Sequence, residues 1–301
     1  MSDFEPGDRS TSSFGDSFGK FMSGFGRSSG GANARKTVTF GDAAAVRSLP
    51  LWSLLAFLLM ALVWFLVKAG DNPIINDRIF PSQADTWDAI VTLAREGYRN
   101  VSLWEHLTAS LSRVGQGMLW GIVLGVPVGF FMGLSSRARG FFDTPVELFR
   151  PIPPLALLPL FITWFGIGNR TAVNLLIFAS VWIMIIAARS GVRTVNLSKV
   201  RAAYSLGANK RQVLRRVILP NALPEIFTGI RVAIGVSWGT LVAAELVGTD
   251  TGLGAMIFAA RVFFRIDIIV AGVIIIAILG VIMDLLMRWL ESRLIPWRGR
   301  G

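Results

Sequence analysis

Cysteine is absent from the 301-residue chain and histidine occurs once, at His106. The first absence removes disulfide frameworks, thiolate metal sites and cysteine nucleophiles. The second removes histidine clusters, which leaves His106 as a hydrogen-bonded interfacial residue rather than a ligand. Charge is also scarce, at 16% of residues, while 53% are hydrophobic. That balance belongs to a polytopic membrane protein and not to a soluble domain. No G-x4-G-K-[ST] phosphate loop is present, since GDSFGK at Gly15–Lys20 has the wrong spacing. Nucleophile elbows and carboxylate pairs on a polar domain are missing too. No catalytic residue, metal or cofactor is therefore assigned, and any nucleotide that drives this chain must be hydrolysed by another polypeptide.

What charge there is comes to a net +11, unevenly distributed. The stretch 189–224 interrupts the apolar C-terminal half. It holds Arg189, Arg193, Lys199, Arg201, Lys210, Arg211, Arg215 and Arg216 with no acidic residue between them. Arg288, Arg293, Arg298 and Arg300 follow the last apolar run. Positive charge beside apolar segments marks the cytoplasmic face. Because the charge falls where topology places it, nucleic acid is not expected as a partner. The stretch also carries structure of its own. Ser198 is a cap for a short helix, KVRAAYSL, and Gly207 ends it in the left-handed conformation. Asn209 with Gln212 makes a capping box, and Pro220 and Pro224 close the segment before the next apolar run. On charge alone, a solvated basic loop is an equal reading.

In chain order, residues 1–48 are rich in Ser, Gly and Phe, and we expect a disordered cytoplasmic tail there. Phe14, Phe18, Phe21 and Phe25 are spaced as partner contacts would be, or are incidental. Residues 49–301 form the membrane domain, with spans expected at about 50–67, 107–134, 147–166, 172–188, 226–247 and 268–286. The fold class is all-α, with both termini inside and the lipid bilayer as solvent. Gly117, Gly121, Gly125, Gly129 and Gly133 recur every four residues of the second span, a small-residue ridge for a crossed neighbour. Pro151, Pro153, Pro154 and Pro159 imply a bent or broken third span. TDTGLGAMIFAARVFFRID, before the last span, reads as an outer loop.

Ionisable residues within spans face a bundle interior or a water path. Arg231, Trp238 and Glu245 lie seven apart on one stripe of the fifth span, and Arg113 lies in the second. These four are the candidate translocation-path residues. Glu245 has two readings of equal standing. One is a transport role; the other is a structural carboxylate paired to Arg113 or to backbone amides.

The stretch 201–220 resembles the cytoplasmic loop of binding-protein-dependent ABC importer permeases. Its carriers are Ala202-Ala203, Gly207 four residues later, and Leu219-Pro220, with Arg201 where the family has Glu and Val217 where it has Ile. The resemblance extends over about 80–298 to the branch carrying sulfonates, nitrate and taurine. It rests on SLWEHLTASLSRV (102–114), RPIPPLALLPLFITWFGIGN (150–169), LPNALPEIFTGIRVAIGVSWGTLVAAEL (219–246), TGLG (251–254) and RLIPWRGR (293–300). It implies a type I ABC importer permease fold in a bacterial inner membrane. It also implies a coupling helix at Arg201, Ala202, Ala203, Tyr204, Ser205, Leu206, Gly207 and Ala208, docked on a separate dimeric ATPase. The other partners it implies are a second permease copy and a periplasmic or membrane-tethered substrate-binding protein. Taurine (2-aminoethanesulfonate) is the first substrate implied, with alkanesulfonate, nitrate or bicarbonate as alternatives. A secondary transporter predicts transport without an ATPase; a membrane scaffold leaves the bent loop without a purpose.

Overall fold

The computed structural model describes residues 50–68 and 80–297, where every regular element is helical. The chain divides into two units, residues 1–59 and 60–301. Of the first, only the opening part of α1 (Pro50–Lys68) is described. The expected tail at 1–48, Arg298 and Arg300 lie outside the described residues.

Capping chemistry sets where the next two helices begin. Ser82 Oγ accepts from Asp85 N at 3.1 Å and starts α2 (Gln83–Glu96). Ser102 Oγ accepts from Glu105 N at 3.2 Å, and Glu105 Oε2 accepts from Ser102 N at 3.0 Å, starting α3 (Leu103–Leu134). Such a reciprocal pair satisfies two backbone donors that the first turn leaves open. The second span therefore begins at its cap, ahead of the expected residue 107.

The glycine ridge of α3 lies against α6 (Asn169–Arg193). A Cβ at Gly125 would stand 2.7 Å from Met184 Cβ, and one at Gly133 would stand 2.6 Å from Val192 Cβ. Gly117, Gly121 and Gly129 meet Leu176, Ser180 and Ala188 in the same way. Residue numbers rise together on both sides of this contact, so α3 and α6 run parallel. At its other end, Arg113 Nε donates to Asn169 Oδ1 at 2.7 Å. The chain must therefore return from the level of residue 134 to that of 113. At 1.5 Å per residue that is about 31 Å, close to the hydrocarbon thickness of a bilayer.

The return is made by a broken element: α4 (Ser136–Phe149), a 3-10 turn at Pro154–Leu157 and α5 (Leu158–Phe165), bent by 83°. Residues 136–146, which fall between the expected second and third spans, are helical and make up most of α4. Ser135 caps it, and Val146 is buried with Met132 and Ile185. The expected third span, 147–166, straddles the break. Pro151, Pro153 and Pro154 withhold backbone N–H donors at the corner.

After α6 come α7 (Leu197–Ser205) and α8 (Lys210–Val213), a π-helical turn at Leu214–Ile218, and α9 (Leu219–Gly248). The proline closure expected at Pro220 and Pro224 does not occur, for helix continues through both. In the wide π turn Leu219 N–H reaches back to Leu214 O. Pro224 has no N–H to give Pro220 O, and Trp297 Nε1 donates to that carbonyl instead, at 3.2 Å. The expected outer loop is corrected as well. It contains α10 (Leu253–Val262), whose Leu253, Met256 and Ala260 are buried with Ala89, Leu93, Ile268 and Ala271. The final helix, α11 (Ile266–Leu294), is longer than the expected 268–286.

The main core joins α3, α6 and α9 through Val114, Met118, Leu176, Met184, Ala188, Ala222, Ile226, Ala233 and Leu241. Among the described residues, four helical runs are long and apolar enough to cross a membrane: α3, α6, Lys210–Leu246 and α11. The bent pair makes five, and the apolar part of α1, Leu54–Lys68, is shorter. Six spans were expected; length and composition of the described helices reach five.

Candidate functional site

Three constellations carry chemistry. The first is a knob between α6 and α9. Asn196 Oδ1, not Ser198, caps α7, accepting from Ser198 N at 2.8 Å. Both residues are good caps, and the one nearer the turn takes the role. Gly207 has φ +83°, a region in which an L side chain is strained, and a Cβ there would meet nothing within 4 Å. Ala208 N donates to Ala203 O at 3.0 Å, closing the bend. Asn209 and Gln212 then cap each other at 2.8 and 2.9 Å. Arg201, Ala202, Tyr204, Ser205, Leu206 and Gly207 are exposed, while Ala203 and Ala208 are half-buried. Leu206 is 89% exposed, an apolar side chain held in water by a rigid turn.

The second constellation is a buried ion pair where α3 meets α9. Arg113 Nη1 stands 2.6 Å from Glu245 Oε1, with Arg113 at 4% and Glu245 at 0% exposure. The carboxylate also accepts from Ser110 Oγ (2.8 and 3.0 Å) and from Gly254 N (2.9 Å). Arg113 donates further to Thr251 O at 2.7 Å and Thr251 Oγ1 at 3.2 Å. Leu253 N donates to Ser110 Oγ at 2.9 Å, and Gly252 N donates to His106 Nδ1 at 3.0 Å. The TGLG turn is thus clasped to α3 through its own backbone. Gly252 (φ +123°) permits this approach, since a Cβ there would fall on Glu245 and Arg113. Ser110, Thr251 and Asn169 escaped the sequence reading, for they carry no charge to mark them.

The other two candidate path residues face elsewhere. Arg231 pairs with Glu291, and its Nε lies 3.5 Å from Asp284 Oδ1. Asp284 in turn receives Arg288 Nε at 2.7 Å. Trp238 packs on α11, where Gly280 leaves room for its indole. The structure therefore places Arg231 and Trp238 toward α11, and Glu245 with Arg113 at the clasp on the 251–254 turn.

The third constellation is a cavity of about 500 Å3 between the α4–α5 corner, α6 and α9. Arg150, Trp182, Ser190, Glu225 and Thr228 are its polar lining residues, and none of the four candidate path residues lines it. Arg150 and Glu225 were not singled out from sequence. The signal was there: each stands in an otherwise apolar run, beside a proline.

A helical bundle of membrane-spanning length with an exposed basic knob defines a polytopic membrane component. The family model for binding-protein-dependent transport system inner membrane components matches residues 121–296, and the chain belongs to that family. It is 42% identical over 238 residues to the taurine transport system permease protein TauC of Escherichia coli (strain K12), covering 79% of this chain and 86% of that protein. With the putative aliphatic sulfonates transport permease protein SsuC of Bacillus subtilis (strain 168) it shares 34% identity, over 78% and 83% of the two chains. The nitrate import permease protein NrtB of Leptolyngbya laminosa is 28% identical, over 83% and 88%. Among solved structures, an inward-facing form of the MetNI methionine ABC transporter superposes with a TM-score of 0.55 at 20% identity, over 64% of this chain and 94% of that one. That likeness shows the fold alone; membership of the family, with the membrane-length helices, makes the chain a multi-pass inner membrane permease component.

Proposed function

We propose that this chain is the translocating subunit of an ATP-driven importer of a small sulfonate, taurine first, working with a separate dimeric ATPase, a second permease copy and a substrate-binding protein. The observation that carries the reading is Leu206, held out in water beside the Gly207 bend at the root of the run Lys210–Leu246. An apolar side chain so displayed on a basic surface suits docking into a cleft of another protein. Residues 201–208 are then the ATPase contact, and basic residues at 189–224 place that contact in the cytoplasm. Counting α1 as a span puts both termini inside, with 49–301 as the permease domain and 1–48 as a cytoplasmic tail. The taurine assignment is supported by the likeness to TauC; alkanesulfonate, nitrate or bicarbonate is the second choice. Arg113 and Glu245 act as an outer clasp, and Arg231 and Trp238 hold α9 on α11.

Because the chain has no cysteine, Leu206→Cys introduces a unique thiol. Crosslinking from it to the ATPase should change with nucleotide in the assembled complex. A thiol that reaches no ATPase in any nucleotide state, or uptake by vesicles holding this polypeptide alone, would overturn the reading. For the substrate, taurine-loaded binding protein should raise ATP turnover of the reconstituted complex; stimulation by nitrate only would overturn taurine.

A further inference from the structure

We propose that the permease carries its own site for a zwitterion, in which Arg150 receives the anionic end and Glu225 the cationic end of one ligand. The proposal rests on the reading of the substrate as taurine, which carries a sulfonate and an ammonium two carbons apart.

Arg150 stands at the end of α4 beside the proline corner, and Glu225 stands two turns into α9. They line the same cavity of about 500 Å3 from different elements. Among the described residues neither side chain makes a hydrogen bond or an ion pair, whereas the side chains of Arg113, Arg189 and Arg231 each have an acidic partner. Glu225 is half-buried in the helical run Lys210–Leu246, at the edge of the apolar span expected from residue 226. A carboxylate at that place is costly unless a cation or a water path meets it. Arg150 shares the cavity without pairing with it, so a ligand that places its own cation at the carboxylate is favoured.

The rest of the cavity suits the middle of such a ligand. Trp182 stacks on Phe149 with ring centroids 5.4 Å apart and 10° between planes, and meets Phe178 edge-on at 5.8 Å. That cluster is a stiff apolar wall for a short carbon linker. Gly229 draws α9 onto α6, since a Cβ there would collide with Ala187 Cβ. The wall separation is thus set by backbone packing and not by mobile side chains. A second cavity of about 490 Å3 shares Arg150, Ile186 and Ser190 and is lined further by Glu147, Arg189, Arg193 and Thr194. Arg150 lines both, so its guanidinium is available to an anion in either. An anion without an amine would leave Glu225 unpaired and add like charge to its cavity. The site therefore selects for a ligand of both signs.

The test uses the permease–ATPase complex in nanodiscs without its binding protein, and equilibrium binding of radiolabelled taurine. Taurine should bind saturably, and ethanesulfonate, which lacks the ammonium, about tenfold more weakly, as loss of one charged hydrogen bond implies. Glu225→Gln should weaken taurine about tenfold and leave ethanesulfonate bound at least as tightly as before, removing the preference. Arg150→Gln should weaken both. No saturable binding, equal affinities for the two ligands, or a taurine affinity indifferent to Glu225→Gln would overturn the site. Should a variant fail to assemble, the wild-type preference for taurine over ethanesulfonate decides alone. The parallel ATPase assay separates the two ideas. If loaded binding protein stimulates turnover but the complex alone binds no taurine, the site falls and the importer reading stands. If taurine stimulates nothing, the substrate reading falls and the site with it.

Discussion

In the variant Glu245→Ala, Arg113 keeps Thr251 O and Asn169 as acceptors but loses its counter-charge inside the bundle. Gly254 N–H and Ser110 Oγ–H lose their acceptor at the same time. Breaking a buried pair from one side destabilises by about 3–5 kcal/mol, and each orphaned buried donor by about 1–3 kcal/mol. These losses overlap, so we expect about 4 kcal/mol or somewhat more, and a fall of about 10 °C in the unfolding midpoint in micelles. Arg113→Met should lose a similar amount by leaving the carboxylate unpaired. The pair Arg113→Met with Glu245→Ala removes both charges, and its loss should fall short of the sum by about 3 kcal/mol. Thermal unfolding of the four proteins in one detergent measures this. Losses that add within about 0.5 kcal/mol would refute a clasp. A transport role apart from the clasp predicts something else: Glu245→Gln assembled normally, with uptake lost.

Other outcomes follow from single contacts. Gly207→Val strains a φ of +83° without meeting any neighbour, so the complex should assemble while ATP turnover and uptake come apart; normal uptake would count against coupling through the bend. Gly129→Val drives a side chain into Ala188 and should abolish assembly, seen by gel filtration. Gly115→Ala, where nothing stands within 4 Å, should be silent. Trp297→Phe orphans Pro220 O and should destabilise by about 1 kcal/mol in unfolding assays. Pro224→Ala in the same chain restores an N–H at that carbonyl and should recover the loss.

What could be read from sequence was local chemistry. The capping box at Asn209 and Gln212, the turn at Gly207 and the glycine ridge each depend on residues a few positions apart, and each has its counterpart in the structure. Arg113 was one of two partners considered for Glu245 because a carboxylate in a span needs a cation. Thr251, Asn169 and Ser110 were invisible, since neutral groups announce nothing until folding brings them together. The prolines misled in one place and not in another. At 151–154 they break the helix, whereas at 220 and 224 a π turn and a distant indole supply what they withhold. α10 was hidden because a ten-residue helix after TGLG shows too little periodicity to outweigh its glycines.

The run from Lys210 to Leu246 holds 37 residues, about 55 Å of helix. One end is rooted in the exposed knob, and Glu245 near the other grips the turn at 251–254. Pivoting that rod by about 5° at the π turn swings the carboxylate through about 4 Å, given 1.5 Å per residue from 216 to 245. A hydrogen bond does not survive such a displacement. If the knob is the ATPase contact we propose, a push delivered there reaches the other end of the rod as a choice between latch held and latch released.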